Sequence, residues 1–544
     1  MNDPNGPFYD VNTRLYHLFY QYNPFGYNWG NMSWNHVYSR DLLHWVELPV
    51  ALFPDDSYDC NGVFSGSIFM ESGSSVPSIY YTCVDAGNVQ KQCAADPQNV
   101  ESKVEETKLF VNWKKRSDNP IIPPPTGCTL DQFRDPFLWV QGNGDEDYEN
   151  NDSGERLIVA AEIDKEGVIP VYSRPQNGEW EYIGNLWSTN PSVTPNPSAK
   201  GVPMVECPDF YPVSPEGENY NYSCGIDEAL YVLKYSLMET RRDYYELGCY
   251  NSTTFIPNGN YGDVDVGAYF AYYASKTFWD SKMVRRLLWG WASETDDNAS
   301  GRDWQGVMAL PRVVEFEASN STNSAGSSGI LRFLPLPELD TLHGRTLIDD
   351  VQYSLDITEG GSTCDLNTSM FQGDVQIVFN FTEALTTRDD DCDLSSTENA
   401  TTIDAGISIL ACPEKRIETL VGVVVDPVRM KIFSYLNTEA SGGTTPAAVN
   451  TTEISTSGFS YAQLQTLLSE FRVRILIDHS IVEIFFADGL SVATLRIYAP
   501  QGCEEMSLYS KGDVDDINGK SSVSVKVDAF EMTDALVGHH YDIS

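Results

Sequence analysis

The chain has 544 residues, more than one ordinary core accommodates, so two domains are expected. Hydrophobic residues make up 41% and charged residues 21%, the proportions of a globular protein. A formal net charge of −43 with no basic run excludes a nucleic-acid partner and disfavours an anionic membrane surface, and no apolar run approaches the ~20 residues of a membrane span.

In chain order, the sequence opens directly on Met1-Asn2-Asp3-Pro4 with no basic and apolar leader, so a true N-terminus upstream is expected. Short alternating or apolar runs follow, punctuated by Gly, Asn, Asp and Pro: Leu15 to Tyr20, Gly62 to Met70, Ile79 to Tyr81, Arg156 to Ala161, Ala229 to Tyr235 and Leu287 to Ala292. Gly142 to Gly154 and Glu317 to Gly329 read as polar loops. After Leu339 the texture changes: Trp304 is the last Trp, Thr and Ser rise, and an alternating strand runs from Arg472 to Phe486. One helical period stands at Tyr461 to Glu470. The pattern predicts an all-β protein with a boundary near residues 336 to 348, hence domains 1–336 and 348–544.

Ten Asn-x-Ser/Thr sequons, from Asn31 to Asn450, and 11 Cys predict a secreted glycoprotein with a few disulfides, in an extracellular, cell-wall or vacuole-like compartment. The odd count leaves at least one thiol without a partner in this chain. Cys83 with Cys93 and Cys364 with Cys392 are the pairings considered.

Three acidic motifs carry chemistry: Asn2-Asp3-Pro4-Asn5-Gly6, Phe133-Arg134-Asp135-Pro136 and Glu206-Cys207-Pro208-Asp209. Each taken alone is an ordinary turn or strand end. Between and after them stand Tyr20-Gln21-Tyr22-Asn23-Pro24, Trp29-Gly30-Asn31-Met32-Ser33-Trp34, Phe64-Ser65-Gly66-Ser67 and Tyr273-Ala274-Ser275-Lys276-Thr277-Phe278. Arg474-Ile-Leu-Ile-Asp478-His479-Ser480-Ile481-Val482-Glu483 lies near the C-terminus. In this order the set closely resembles glycoside hydrolase family 32, the invertase and fructan-hydrolase family, in its plant-type branch, over almost the whole chain.

The resemblance implies a five-bladed β-propeller followed by a β-sandwich, with the site in the propeller's axial funnel. It implies hydrolysis of terminal β-D-fructofuranosides such as sucrose, with Asp3 as nucleophile, Glu206 as acid and base, and Asp135 binding fructose hydroxyls. Such chemistry needs two carboxyls about 5–5.5 Å apart when configuration is retained. Asn2, Gln21, Trp29, Phe64, Ser65 and Arg134 match the family's fructose-binding wall. Where sucrose-preferring relatives carry Asp and Lys three residues apart, this chain has Met238 and Arg241, with Glu239 and Arg241 as the candidates for holding the leaving group. The segment Asp263 to Tyr273 is longer than in the family. The alternatives within the class are a fructan exohydrolase or a fructosyltransferase. From another class comes a silent sugar-binding protein on the same scaffold, opposed by the presence of all three acidic residues. No metal or phosphate-loop motif appears, so no cofactor is expected, and His36 and His44 read as structural.

Overall fold

The computed structural model describes residues 1–98, 109–140, 152–175, 178–213, 230–294, 303–318, 329–386, 402–426, 429, 431–441, 448–456, 459, 461–512 and 521–534. Among the described residues the strands form seven antiparallel sheets, the first five in chain order and the last two interleaved in sequence. The first five sheets begin with the strands Pro4–Asp10, Gly62–Phe69, Cys128–Val140, Glu206–Pro212 and Tyr273–Asp280. In the first four sheets each strand pairs with the next in sequence, a meander of local hairpins. The fifth adds the two-residue strand Val307–Met308 beside Arg285–Ala292.

These five leading strands neighbour one another in succession, and the fifth returns to the first. Polar bonds staple each neighbour to the next. Gly66 N donates to Asn5 Oδ1 (3.2 Å), Ser67 Oγ to the Pro136 carbonyl (2.7 Å) and Cys207 N to Asp135 Oδ2 (2.9 Å). Lys276 Nζ bonds Asp209 Oδ1 (2.8 Å), and Tyr16 Oη donates to Asp280 (3.2 Å). All lie at buried positions, where an unpaired polar group would be costly.

Strands inside these sheets are covered on both faces. Ser78–Val84 and Tyr231–Leu237 are buried at every residue. Such strands read as continuous apolar runs rather than alternations. His17 and His36 belong to this interior: Nδ1 of one lies 3.0 Å from Nε2 of the other, and His36 stacks on Phe19 at 4.0 Å. Burial pushes the His17 imidazole down to about 4 and His36 well below its ordinary value, so the pair is structural.

The 3₁₀ turn Pro337–Leu342 leads into His343–Asp356, the first strand of two six-stranded sheets that share one apolar core. Here burial alternates, as along Lys431–Asn437 and Ser522–Met532, because only one face of each sheet meets the other. Asp340, His343 and Asp374 converge at this junction, but Arg474 already bonds Asp340 (2.6 Å) and Asp374 (2.7 Å), an ion-pair knot rather than a cation cage.

Several expectations are met and others corrected. Tyr461–Ser469 is a helix. The run from Arg472 to Phe486 is two strands, Phe471–Asp478 and Ile481–Phe486, because His479 adopts a left-handed φ of 53° and turns the chain. Cys83 pairs with Cys93 and Cys412 with Cys503. Cys364 is a free thiol, and Cys392 lies outside the described residues, so the pairing considered for Cys364 is not formed. Residues 142–151 and 319–328, most of the two expected loops, also lie outside the described residues, as do five of the ten sequons.

Candidate active site

The leading strands carry the acidic motifs, and each breaks its pairing register at the motif. Register shifts fall between Asn5 and Phe8, Phe64 and Gly66, Glu206 and Asp209, and Tyr273 and Lys276. In the third sheet the shift lies opposite, between Ile158 and Ala160. Gly6, Asp135, Cys207 and Ala274 take positive φ of 42°, 66°, 46° and 52° at these bulges. A bulge re-aims the side chains beside it. The outcome is one pocket of about 530 Å³, lined by all three expected carboxylates and by Asn2, Gln21, Trp29, Phe64, Ser65, Arg134 and Arg241.

Asp3 has both oxygens occupied: Asn2 Nδ2 donates to Oδ1 (3.0 Å) and Ser65 Oγ to Oδ2 (2.6 Å). Burial first, then repulsion from Asp135 and Glu206, lift its carboxyl to about 6, against those two hydrogen bonds. Asp135 accepts the Cys207 amide, and its own amide donates to Thr82 Oγ1 (2.9 Å). Burial raises this carboxyl and Arg134 opposes the rise. Glu206 is gripped at both oxygens: Arg134 Nε donates to Oε1 (3.0 Å), and the Tyr273 hydroxyl donates to Oε2.

Arg134 is itself fixed by Gln132 Oε1 (2.8 Å), the Asp131 carbonyl and Gln90 Oε1 (both 3.3 Å), and its Nη2 lies 3.2 Å from Met238 Sδ. A guanidinium with this many fixed partners is a rigid anchor. Gln21 is buried and, among the described residues, neither end of its amide has a hydrogen-bond partner, an open demand at the pocket wall. Trp29, 67% exposed, stands at the mouth edge-on to Phe64 with centroids 5.6 Å apart. Cys207 is buried, and burial, then Asp135, push its thiol far up, so it is no thiolate nucleophile.

Glu239 is a correction. It is exposed on the turn between Tyr231–Leu237 and Arg242–Tyr250 and lies outside the pocket lining. Arg241, on the same turn at φ 51°, reaches inward instead, its guanidinium 5.0 Å from the Phe270 ring and 5.6 Å from Tyr273. Residues that sequence reasoning did not assign to the site include Tyr273, Gln90, Phe270 and Trp291, while Met238, noted beside Arg241, lines the pocket. The signal for Tyr273 was present in its motif, and that for Trp291 in the run Trp289-Gly290-Trp291; Gln90 and Phe270 stand in no such motif.

Residues 1–324 match the model described as Glycosyl hydrolases family 32 N-terminal domain, and residues 338–528 match Glycosyl hydrolases family 32 C terminal. The chain is 31% identical to a vacuolar acid beta-fructofuranosidase 2 of a Rosa hybrid cultivar, over 99% of this chain and 80% of that one. It is 32% identical to an insoluble beta-fructofuranosidase isoenzyme of Arabidopsis thaliana, over 93% and 84%. Among solved structures it resembles fructan 1-exohydrolase IIa from Cichorium intybus, with a TM-score of 0.75, 26% identity, and 99% and 97% of the two chains covered.

Proposed function

The chain belongs to glycosyl hydrolases family 32, and from that premise we propose that it hydrolyses terminal β-D-fructofuranosides such as sucrose, with retention at C2. The enzyme is a glycoside hydrolase of invertase type. The observation that carries the mechanism is one pocket in which Asp3, held by Asn2 and Ser65, meets Glu206, held by Arg134 and Tyr273.

Glu206 gives its proton to the glycosidic oxygen, the C2–O bond breaks, and an Asp3 oxygen bonds to C2. Water then attacks C2, Glu206 takes the water proton, and the Asp3–C2 bond breaks, releasing fructose. Asp135 and Gln21 bind fructose hydroxyls, an interaction that serves catalysis to the extent that it strengthens in the transition state. Asp3→Ala and Glu206→Ala are each expected to lower kcat at least about a thousandfold while the fold is retained. A variant keeping more than roughly a tenth of wild-type kcat on sucrose would remove that residue from the assigned role.

Support for a five-bladed propeller comes from the five leading strands that succeed one another and return to the first. Residues 1–336 form the catalytic unit and 348–544 the sandwich, a division supported by the turn Pro337–Leu342. Secretion or delivery to a vacuole or wall is supported by the vacuolar and insoluble relatives and by exposed sequons at Asn31, Asn251, Asn367 and Asn380. A fructan substrate is the second reading, favoured by apolar Met238 in the pocket beside Arg134. Rates on sucrose, inulin and levan separate the two.

A further inference from the structure

Between the strands Phe255–Asp263 and Tyr273–Asp280 the chain runs as a strap that the sandwich holds. Val266 N donates to the Val492 carbonyl (2.8 Å) and Ala268 N to the Thr494 carbonyl (3.1 Å), so the strap lies along the strand Ser491–Arg496. Asp265 is the buried pin: Oδ1 accepts the Gly267 amide (2.8 Å) and the Thr494 amide (3.0 Å), while Oδ2 accepts Thr494 Oγ1 (2.7 Å).

At the apex the strap presents two aromatic rings. Tyr269 is 63% exposed, while Phe270 takes a left-handed φ of 61° and lines the pocket. A non-glycine residue keeps such a backbone only where its surroundings impose it. The Phe270 centroid lies 4.9 Å from Trp291 and 5.6 Å from Tyr273. Tyr273 donates to Glu206, so Phe270 stands one ring away from the proton donor, on the side where a leaving group departs. Asn2, Asp3, Gln21 and Ser65 come from the first two sheets, whereas Phe270 comes from the strap before the fifth.

We propose that Phe270 is a specificity-determining residue that stacks against the sugar ring of the leaving group, and that Asp265 and Thr494 are positioning residues through which the sandwich holds it there. The inference rests on the fructosidase reading. The partner is a hexose-sized neutral ring, because the strap supplies aromatic faces and no ion-paired cation or carboxylate at its apex among the described residues. Arg241, which also lines the pocket, restrains the same ring through its cation–π contact.

The test compares kcat/KM on sucrose with kcat/KM on methyl β-D-fructofuranoside, whose leaving group is too small to reach Phe270. In Phe270→Ala the sucrose-to-methyl ratio is expected to fall about tenfold, mostly through KM for sucrose, the size of one lost aromatic contact. Phe270→Tyr is expected to restore it, and Thr494→Val to lower it severalfold in the same direction. A ratio unmoved in Phe270→Ala overturns the specificity role. A Thr494→Val variant that melts earlier with its ratio unmoved overturns the positioning role. Wild-type protein that cleaves methyl fructoside while failing these tests sinks this inference alone, whereas wild-type protein that cleaves neither fructoside sinks the fructosidase reading with it.

Discussion

Asp3 is pulled in two directions. Burial and two neighbouring carboxylates favour its neutral form and bring it to about 6, while Ser65 and Asn2 favour the anion. In the proposed mechanism attack on C2 needs the Asp3 anion, so the rate is expected to fall as pH drops through the region of 6, a limb that belongs to the coupled carboxyl cluster. Ser65→Ala removes a hydrogen bond to the charged form, which raises the Asp3 pKa further. The acid limb of kcat/KM should therefore move to higher pH, with the greatest loss of activity on the acidic side. A pH–rate profile checks this, and a limb that stays in place would show that Ser65 does not tune the Asp3 carboxyl. At this scale the three carboxylates stood out through the co-occurrence and order of their motifs, which carry the family resemblance, and through no single motif by itself. Tyr273 was legible only as part of a motif, since its grip on Glu206 depends on two strands meeting across the pocket. Glu239 was misread because two charged neighbours on one turn point opposite ways, and nothing in their order says which one faces inward.

The bulged strand is the element from which the site is built. Left-handed Gly6, Asp135 and Cys207 are each followed by proline, at Pro7, Pro136 and Pro208, where a bulge leaves the backbone without a ladder bond for an N–H to make. Gly6 shows how little slack remains: a Cβ there would lie 2.5 Å from Ile68 Cγ1 and 2.9 Å from the Ile68 backbone nitrogen, at φ 42°. Gly6→Ala is expected to destabilise the protein by about 1–3 kcal/mol and to lower kcat, because the bulge that must move lies three residues from Asp3. Urea unfolding and kcat on sucrose measure both, and an unaffected variant would mean that the strand relaxes without displacing the carboxylate. The same geometry explains what was readable of the fold. Strands such as Tyr231–Leu237, covered on both faces, read as apolar runs, and Lys431–Asn437, covered on one, as an alternation, so the change of architecture showed as a change of texture. Sheet order and the return of the fifth leading strand to the first left no such trace, because they depend on contacts between residues hundreds of positions apart.

Across the whole molecule, the two halves are joined by charge as well as by apolar contact. Arg312 is fully buried at the seam, its Nη2 bonding Asp265 (2.8 Å), Glu483 (3.1 Å) and Thr494 Oγ1 (2.8 Å). Burial raises the Glu483 carboxyl and Arg312 opposes the rise. Arg312→Met leaves two carboxylates facing each other without a cation, which costs about 3–5 kcal/mol. Without the arginine the folded-state carboxyl pKa rises, so the deficit should be largest at neutral pH and shrink as acid protonates the pair. Calorimetry across that range checks the sign, and a deficit independent of pH would assign the loss to packing alone. The closure of the five leading strands also has a consequence for how the enzyme comes into being. Tyr16 reaches Asp280 across 264 positions, and the Met1 amino group reaches the Gln305 carbonyl across 304. At the ribosome Asp3, Asp135 and Glu206 therefore emerge well before Tyr273 and Lys276. A nascent chain halted at residue 263 holds all three acids and lacks the hydroxyl that grips Glu206, the Lys276 ammonium that bonds Asp209, and the leading strand that packs against that of the first sheet. Such a chain leaves the leading strand of its first sheet without the neighbour that packs against it, so the interval before the fifth sheet leaves the exit tunnel is when a chaperone is most needed.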